Sequence, residues 1–387
     1  MRTLIIRIVV CACAIGSGGV HAAEWIFQPS VDVSSMYDDN VALSTDSSVS
    51  TSGYILVPRF NLKRNTETSK MDLDVYGAFT DYQRGEVEDR SESVALLRSQ
   101  TQTSERGTLG IDGDIRRDTL FERLTQGRDP RDVDVGLSTS TRVRRTYVAA
   151  NPYFDWWLTE RSSMRLGYRL TDASFSNAGD TDLVDYKEHV LSSTFTRQLS
   201  EQNSGSLTAN VVRYRPDTTS SEADTVQLLA GINRKFTESA HGYVAVGGSE
   251  TKQSDGGVEE RTSGAVYRAG IEQKSEISQL ETVVSRDVAP SGVGRSLRSD
   301  QFRMRWLRKT APTVDFVLEA QWIRTRVLQG SDPTVDRDYV EIGPHFNWHW
   351  LEHWAISGGY RYRRQKYDAD TGSADSNAVF LGVTYAL

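Results

Sequence analysis

The chain has 387 residues, of which 38% are hydrophobic and 25% are charged, and its formal net charge is −7. This acidic balance argues against a nucleic-acid partner, because nucleic-acid binding normally needs a basic face. A mean hydropathy of −0.48 is typical of a soluble chain. It does not exclude a membrane β-barrel, in which only every second strand residue meets lipid.

Residues 1–22, MRTLIIRIVVCACAIGSGGVHA, have the features of a secretory signal peptide. Arg2 provides the basic start, residues 4–16 form an apolar stretch, and small residues precede a cleavage point after Ala22. Both cysteines, Cys11 and Cys13, lie in this segment. We therefore expect an exported chain without disulfide bonds. A lipoprotein signal at Cys13 would leave almost no apolar region ahead of its cleavage point.

The rest of the chain is dominated by alternation of apolar and polar residues. It is clear in residues 71–79, 302–307, 314–322 and 354–363, where every second side chain is apolar. Such a period of two predicts β-strands with one apolar and one polar face. About 18 segments of roughly 10–14 residues have this pattern, the length that a tilted membrane-spanning strand needs. The sequence therefore predicts an all-β fold, a transmembrane antiparallel barrel of about 18 strands over residues 23–387, with 16 strands as the alternative.

The predicted connections alternate between short and long. The short ones are 65–69, 102–105, 159–163, 237–240, 274–276, 309–312 and 351–353; the long ones are 37–51, 82–90, 117–140, 176–184, 216–223, 250–261, 288–297, 328–337 and 367–376. Short periplasmic turns and longer extracellular loops are typical of outer-membrane barrels, whereas a soluble β-sandwich has no reason to separate them. We expect both termini in the periplasm.

The last predicted strand, NAVFLGVTYAL, places Val379, Leu381, Val383, Tyr385 and Leu387 on one face. It resembles the C-terminal signal read by the barrel assembly machinery, although it ends in leucine where phenylalanine is usual. The resemblance implies this machinery as a partner.

A histidine-rich stretch, GPHFNWHWLEHW at 343–354, resembles a metal site at first. His345, His349 and His353 would share one face of a helix. On a strand, His345 and His349 lie about 13 Å apart, too far to share one zinc ion. We expect no metal site there and no cofactor.

The polar faces of the predicted strands supply the candidates for lining a pore. They are Asp72, Asp74, Asp112, Asp114, Arg145, Arg165, Arg169, Arg303, Arg305, Asp315, Glu319, Glu341, His345, His349, Arg361 and Arg363. Acidic residues dominate the early strands and arginines the later ones. Barrel closure would then set up a transverse electric field across the pore. The alternative is that these side chains are solvated or paired with one another.

The apolar faces supply aromatic residues for a girdle at the boundary between lipid and water. These candidates are Trp306, Trp322, Trp348, Trp350, Trp354, Tyr360, Tyr362 and Tyr385. They imply outer-membrane lipid as a partner.

Other features give little sign of enzymatic activity. His189 is close in sequence to Ser192 and Ser193, but no third group of a catalytic triad can be assigned, so we expect no enzyme. Residues 368–372, DADTG, resemble the start of a calcium loop with the glycine one position early, which leaves loop-bound calcium open. The connection 117–140 is either an inward-folded constriction or a surface loop.

Near the expected mature N-terminus, FQPSVDVSSMYDDNVAL is followed by GYILVPRFNLKR. This pattern resembles the β-barrel porin 2 family and the outer-membrane proteins encoded in exopolysaccharide operons. The resemblance implies an outer-membrane conduit for exporting a polysaccharide, with periplasmic export components as partners. We expect a monomeric pore with this role. The alternatives are a general diffusion or solute-uptake porin, and a structural or surface-interaction barrel with a plugged lumen.

Overall fold

The computed structural model describes residues 23–387 except 46–47, 84–86, 121–142, 180, 218–221, 256–257, 329–331 and 370–371. The signal peptide predicted at 1–22 lies outside the described residues. The strands are β1 (Glu24–Asp38), β2 (Thr51–Asn65), β3 (Ser69–Tyr82), β4 (Arg90–Ser104), β5 (Gly107–Thr119), β6 (Arg144–Thr159), β7 (Ser162–Ser176), β8 (Tyr186–Gln198), β9 (Asn203–Pro216), β10 (Glu222–Thr237), β11 (Ala240–Asp255), β12 (Val258–Lys274), β13 (Ser278–Pro290), β14 (Ser296–Ala311), β15 (Val314–Val327), β16 (Arg337–Leu351), β17 (Trp354–Tyr367) and β18 (Ala374–Ala386).

The sheet closes into a barrel. Each strand pairs antiparallel with the next one in sequence, and β1 pairs with β18, from Ser30 opposite Ala386 to Asp38 opposite Ala378. Closure leaves no strand edge unpaired, which removes the main liability of an open sheet. The predicted all-β antiparallel barrel is confirmed, with 18 strands rather than 16. No helix among the described residues is long and apolar enough to cross a membrane.

The outer surface of the barrel is apolar over most of its height. Leu228, Leu207 and Leu381 are 63%, 61% and 59% exposed, and many large hydrophobic side chains resemble them. An apolar surface of this extent is unfavourable in water and favourable in lipid. The period of two in the sequence therefore separates a lipid-compatible outer face from a polar inner face.

With the exception of 256–257, the connections separate by length between the two ends of the barrel. The short-turn end has the connections 66–68, 105–106, 160–161, 199–202, 238–239, 275–277, 312–313 and 352–353. The other end, called the loop end below, has 39–50, 83–89, 120–143, 177–185, 217–221, 256–257, 291–295, 328–336 and 368–373. β1 begins and β18 ends at the short-turn end, in agreement with an even number of strands.

One predicted loop is wrong. Residues 250–261 were expected to form a long connection, but β11 and β12 continue to within two residues of each other. Cross-strand ion pairs join Lys252 to Glu259 at 2.6 Å and Arg261 to Glu250 at 3.8 Å. This part of the hairpin is polar on its outer face as well as its inner face, so it lacks the apolar alternation that identifies a strand.

Candidate functional site: a lumen narrowed at one end

The register of the strands places all sixteen pore-lining candidates on the inner face. The residues that flank them in sequence, such as Leu73 beside Asp72 and Asp74, point outward. Along β14 and β15, Arg305 lies opposite Glu319, while Trp306 lies opposite Leu318 on the outer face. Strand alternation is thus sufficient to assign the side of the barrel for each residue. That these residues contact a permeating solute stays a prediction.

The charges of the inner face are paired locally. Arg59 binds Asp74, Arg116 binds Asp114 at 2.5 Å, Arg145 binds Asp118 at 2.8 Å, Arg165 binds Asp155 at 2.6 Å, Arg305 binds Glu319 at 3.2 Å, and His349 lies 3.3 Å from Asp315. Each pair joins residues of the same strand or of neighbouring strands. Because the early strands carry arginines that neutralise their carboxylates, the structure favours mutual pairing over the predicted transverse field.

The other inner-facing candidates have polar neighbours as well. Asp72 accepts a hydrogen bond from Asn61 at 2.8 Å. Arg169 donates to the Tyr147 hydroxyl at 2.8 Å. Glu341 is fully buried and accepts from the Gln321 amide and the Tyr339 hydroxyl. The remaining inner-facing candidates are Asp112, Arg303, His345, Arg361 and Arg363, of which the last two contact Asp38 at the loop end.

One sector of the inner face is almost neutral. Strands β8 to β11 point hydroxyl and amide side chains inward over most of their height, namely Ser192, Thr194, Thr196, Ser206, Thr208, Asn210, Gln227 and Ser249. The Thr194 and Thr208 hydroxyls are 3.1 Å apart, and Asn210 donates to Gln227 at 3.2 Å. The sequence analysis missed this sector because Ser, Thr and Asn are common in every type of loop and strand.

At the loop end, the connection that follows β1 folds inward and covers part of the inner face. Asp38, the last residue of β1, is fully buried and accepts hydrogen bonds from Arg363 at 2.9 Å and Ser376 at 2.8 Å. Arg361 lies 3.5 Å from the same carboxylate. The Asn40 backbone N–H also donates to Asp38 Oδ1 at 3.0 Å, so this carboxylate holds the start of the loop as well.

Apolar contacts hold the same segment against the neighbouring part of the wall. Leu43 packs with Ile323, Tyr339 and Ala374, which belong to β15, β16 and β18. Its φ of 50° lies in the left-handed region, which is uncommon for a residue other than glycine. We therefore interpret residues 38–43 as an inward-folded segment, called the first inward segment below, whose backbone is kept in place by the packing of Leu43.

A second inward segment is the connection between β13 and β14, residues 291–295. The Tyr214 hydroxyl of β9 donates to the Ser291 carbonyl at 2.8 Å, and the Val184 N–H donates to the Gly292 carbonyl at 2.6 Å. β9 and β13 are four strands apart around the barrel. Gly292 is required here because a Cβ atom would lie 2.6 Å from the Phe175 ring.

The exposed fraction of the inner-face side chains decreases from the short-turn end toward the loop end. At the loop end the side chains of Arg145 and Arg363 are 0% and 3% exposed. Nearer the short-turn end, those of Arg165 and His349 are 55% and 57% exposed. The described residues thus enclose a lumen that is accessible at the short-turn end and constricted at the loop end. The long connection 117–140, predicted as an alternative constriction, lies mostly outside the described residues.

The aromatic candidates all lie on the outer face, at two levels. Trp306, Trp348, Trp350, Trp354 and Tyr385 are near the short turns, and the Trp354 and Tyr385 rings are in tilted contact with centroids 4.8 Å apart. Trp322, Tyr360 and Tyr362 are nearer the loop end, where Tyr360 and Tyr362 donate to Asn377 and Asp375. From Trp354 to Tyr362 is eight residues, about 20 Å along the barrel axis after allowing for tilt. The two levels match the edges of an apolar band about 25 Å tall.

The histidines and the serines near His189 form no site. His345 and His349 lie on the inner face of β16, and His353 is in the turn, beside the Tyr385 ring. No group of three or more His, Cys, Asp or Glu side chains in the described part of the chain could hold a metal ion. The calcium-like stretch 368–372 includes 370–371, which are outside that part.

His189 points outward and lies 2.6 Å from the Tyr168 hydroxyl, whereas Ser192 points inward. A base on one face of a sheet cannot activate a nucleophile on the other. Ser193 is on the same outer face as His189, but it is four residues further along β8, about 13 Å away and too far for a hydrogen bond.

Comparison with known proteins gives structural similarities only. No family model matches the chain, so the resemblance to the β-barrel porin 2 family stays a prediction, and no curated protein matches either. The chain is similar to Pseudomonas aeruginosa OccK2 (OpdF), solved in complex with glucuronate, at 10% identity and a TM-score of 0.49, over 94% of this chain and 98% of that one. It is also similar to Acinetobacter baumannii OccAB4 (9%, 0.47, 95% and 99%) and Pseudomonas aeruginosa OpdO (12%, 0.45, 93% and 97%).

Proposed function

We propose that this chain forms an outer-membrane pore for the diffusion or uptake of small solutes, with its short-turn end and both termini in the periplasm. The observation that carries the proposal is the combination of an apolar outer face with an ionised and hydroxylated inner face that is accessible toward the short-turn end. Eighteen strands make a lumen wide enough for water. Charged side chains such as Arg165 remain favourable there because water solvates them.

The constriction at the loop end favours small solutes over a polymer. Asp38, Arg363 and Leu43 occupy the inner face at the level where an exported chain would leave the barrel. A hydrated polysaccharide would require both inward segments to move away. The expected role in polysaccharide export therefore finds no support in the packing, and the uptake or diffusion porin is the better proposal.

The proposed partners follow from the proposed location of the barrel in the outer membrane. The outer face requires outer-membrane lipid. We propose that the C-terminal strand, with Val383, Tyr385 and Leu387 on its outer face, is recognised by the barrel assembly machinery. A catalytic role has no residues to support it among the described strands.

Single-channel conductance of the refolded chain in a planar bilayer tests the proposal, combined with liposome swelling in a series of sugars of increasing size. We expect a small, steady conductance and a permeation limit at the size of short oligosaccharides. A silent bilayer with a correctly folded barrel would instead support the plugged-lumen alternative. Block of the current by exopolysaccharide added on one side would restore the export role.

A further inference from the structure

The outer face of the barrel is charged above its apolar band. Strands of about 15 residues rise roughly 38 Å when tilted, which exceeds an apolar band about 25 Å tall. The strands therefore project beyond the band at the loop end. On β13 to β17 and the connection after β17, this projecting surface has a group of five cations and three carboxylates, which we call the outer arginine patch: Arg286, Arg298, Arg324, Arg326 and Lys366, with Asp300, Asp338 and Asp368.

The three carboxylates of the patch are already engaged by three of its arginines. Arg286 binds Asp300 at 2.5 Å, and Arg324 binds Asp338 at 2.6 Å. Arg326 lies 3.0 Å from Asp338 and 3.6 Å from Asp368. Among the described residues of the patch, five cations against three carboxylates leave an excess of two positive charges.

The excess lies on Arg298 and Lys366. Both are exposed, and neither has a carboxylate within 4.0 Å among the described residues. Lys366 lies opposite Asp338 in the β16–β17 register, but the Asp338 oxygens are bound by Arg324 and Arg326. The neighbouring Arg364, on the same face of β17, pairs with Asp375 of β18 at 3.8 Å and adds nothing to the excess. Arg298 also lies directly opposite Arg326 in the β14–β15 register, and like charges in directly opposite positions destabilise a sheet. Arg298 is therefore suited to binding an anion supplied from outside the chain.

The adjoining sector of the barrel is balanced at the same level. On β9 to β12 the outer face pairs four cations with four carboxylates: Arg213 with Asp224 at 3.2 Å, Arg215 with Glu222 at 3.1 Å, Lys252 with Glu259 at 2.6 Å and Arg261 with Glu250 at 3.8 Å. The excess of positive charge on β13 to β17 is thus not shared by the neighbouring sector β9 to β12.

The patch lies at the depth of lipid headgroups. Arg324 is two residues beyond Trp322, and its guanidinium lies 5.3 Å from the centre of that ring. From Phe316, near the short turns, to Arg324 is eight residues, or about 20 Å along the barrel axis. Directly below the patch is the exposed apolar face, with Ile342 42% exposed.

We propose that the outer arginine patch binds the phosphate groups of a phosphorylated lipid in the outer leaflet, whose acyl chains lie on the apolar face below. Guanidinium groups bind phosphate oxygens in a planar, two-pronged arrangement. Arg298 provides a guanidinium that has no carboxylate partner among the described residues. Arg326 beside it adds positive charge, although its Nη atoms already bind Asp338 and the Thr325 carbonyl, and Lys366 adds a third cation at the edge. This inference rests on the membrane location proposed above, but not on the solute that the pore conducts.

The test measures binding of phosphorylated lipid A, and of the same lipid without its phosphates, to the full barrel in detergent by native mass spectrometry. The variant Arg298→Gln with Lys366→Gln removes the unpaired cations. The matched control, Arg213→Gln with Lys252→Gln, removes two cations at the same level from the balanced sector. Heat-dependent electrophoretic mobility verifies that each barrel is folded.

The patch variant should bind phosphorylated lipid A roughly thirty-fold more weakly, since it lacks two basic residues at an anionic lipid surface. The control variant should bind nearly as the unchanged chain does, and the lipid without phosphates should bind weakly to all three proteins. Equal losses in both variants would overturn the proposal, as would equal binding of the two lipids. Conductance in a zwitterionic bilayer reports on the pore independently, so failure of one proposal can be distinguished from failure of the other.

Discussion

Replacing Arg363 with methionine should open the constriction. One guanidinium nitrogen, Nη2, donates to Asp38 at 2.9 Å and Ser376 at 2.9 Å, and also lies 3.3 Å from the Val41 carbonyl. It therefore connects β17 with β1, β18 and the first inward segment. Methionine retains much of the volume and removes every donor. Arg361, 3.5 Å from Asp38, still compensates the carboxylate, so we expect the barrel to fold.

The magnitude follows from the lost interaction. A buried hydrogen bond between charged groups contributes about 1.5–3 kcal/mol. If the inward segment leaves the wall when the pore opens, this energy is lost only from the constricted state. The ratio of open to constricted states should then rise by roughly ten- to 150-fold, since each 1.4 kcal/mol is a factor of ten.

Single-channel recording measures this ratio as the fraction of time spent at the higher conductance. The control is Arg305→Met, which removes an inner-face arginine paired with Glu319 at 3.2 Å and away from both inward segments. It should alter ion selectivity slightly and leave the open fraction unchanged. An open fraction that is the same in Arg363→Met, Arg305→Met and the unchanged chain would refute the assignment of Arg363 as the residue that holds the constriction.

Two further predictions concern the outer face and the second inward segment. Leu228→Arg should lower the free energy of unfolding in lipid vesicles by about 2–4 kcal/mol, whereas Leu229→Arg, one residue away on the inner face, should have far less effect. Urea titration measures the free energy of unfolding of both variants. Equal losses would contradict the assignment of Leu228 to the outer face and Leu229 to the inner face. Gly292→Val should displace residues 291–295, because even a Cβ atom would lie 2.6 Å from the Phe175 ring. Faster tryptic cleavage after Arg295 is the expected result, and an unchanged rate would show that the segment accommodates the side chain.

The barrel was predictable from the sequence because its outer and inner faces need opposite types of residue. The outer face is apolar and the inner face is polar, so opposite residue types alternate along each strand and the period of two persists through most strands. The same alternation assigned Arg305 to the inner face and Trp306 to the outer face. The alternation did not identify the ends of β11 and β12 as strands, because both faces of the hairpin are polar there.

The constriction was not predictable in the same way. Asp38 lies on the polar face of β1 by simple alternation, which is a usable signal, but its neighbours Arg363 and Ser376 are more than 300 residues away in sequence. The packing of Leu43 against Ile323 likewise depends on how the loop folds back into the lumen. Periodicity within a strand contains no information about which distant loop covers it.

The pairing of inner-face charges has a consequence for what the lumen can select. Arg165 with Asp155 and Arg305 with Glu319 are nearly neutral units, so a solute that passes them meets alternating charges at short range instead of one strong potential. Around the barrel, the hydroxyl and amide sector of β8 to β11 lies between these two pairs. If the barrel conducts solutes as proposed, a lumen with these two surfaces should discriminate by hydrogen bonding and size more than by net charge.

The constriction is the level at which charge should matter most, because its ionised groups are buried and poorly screened by water. Arg361 and Arg363 share the Asp38 carboxylate, and Glu341 is close enough to Arg361 to attract it electrostatically. Replacing Arg361 with glutamine leaves two carboxylates against one guanidinium, so the permeability ratio should shift toward cations. The reversal potential in a salt gradient measures this shift. A reversal potential equal to that of the unchanged chain would show that permeating ions do not pass close to Arg361.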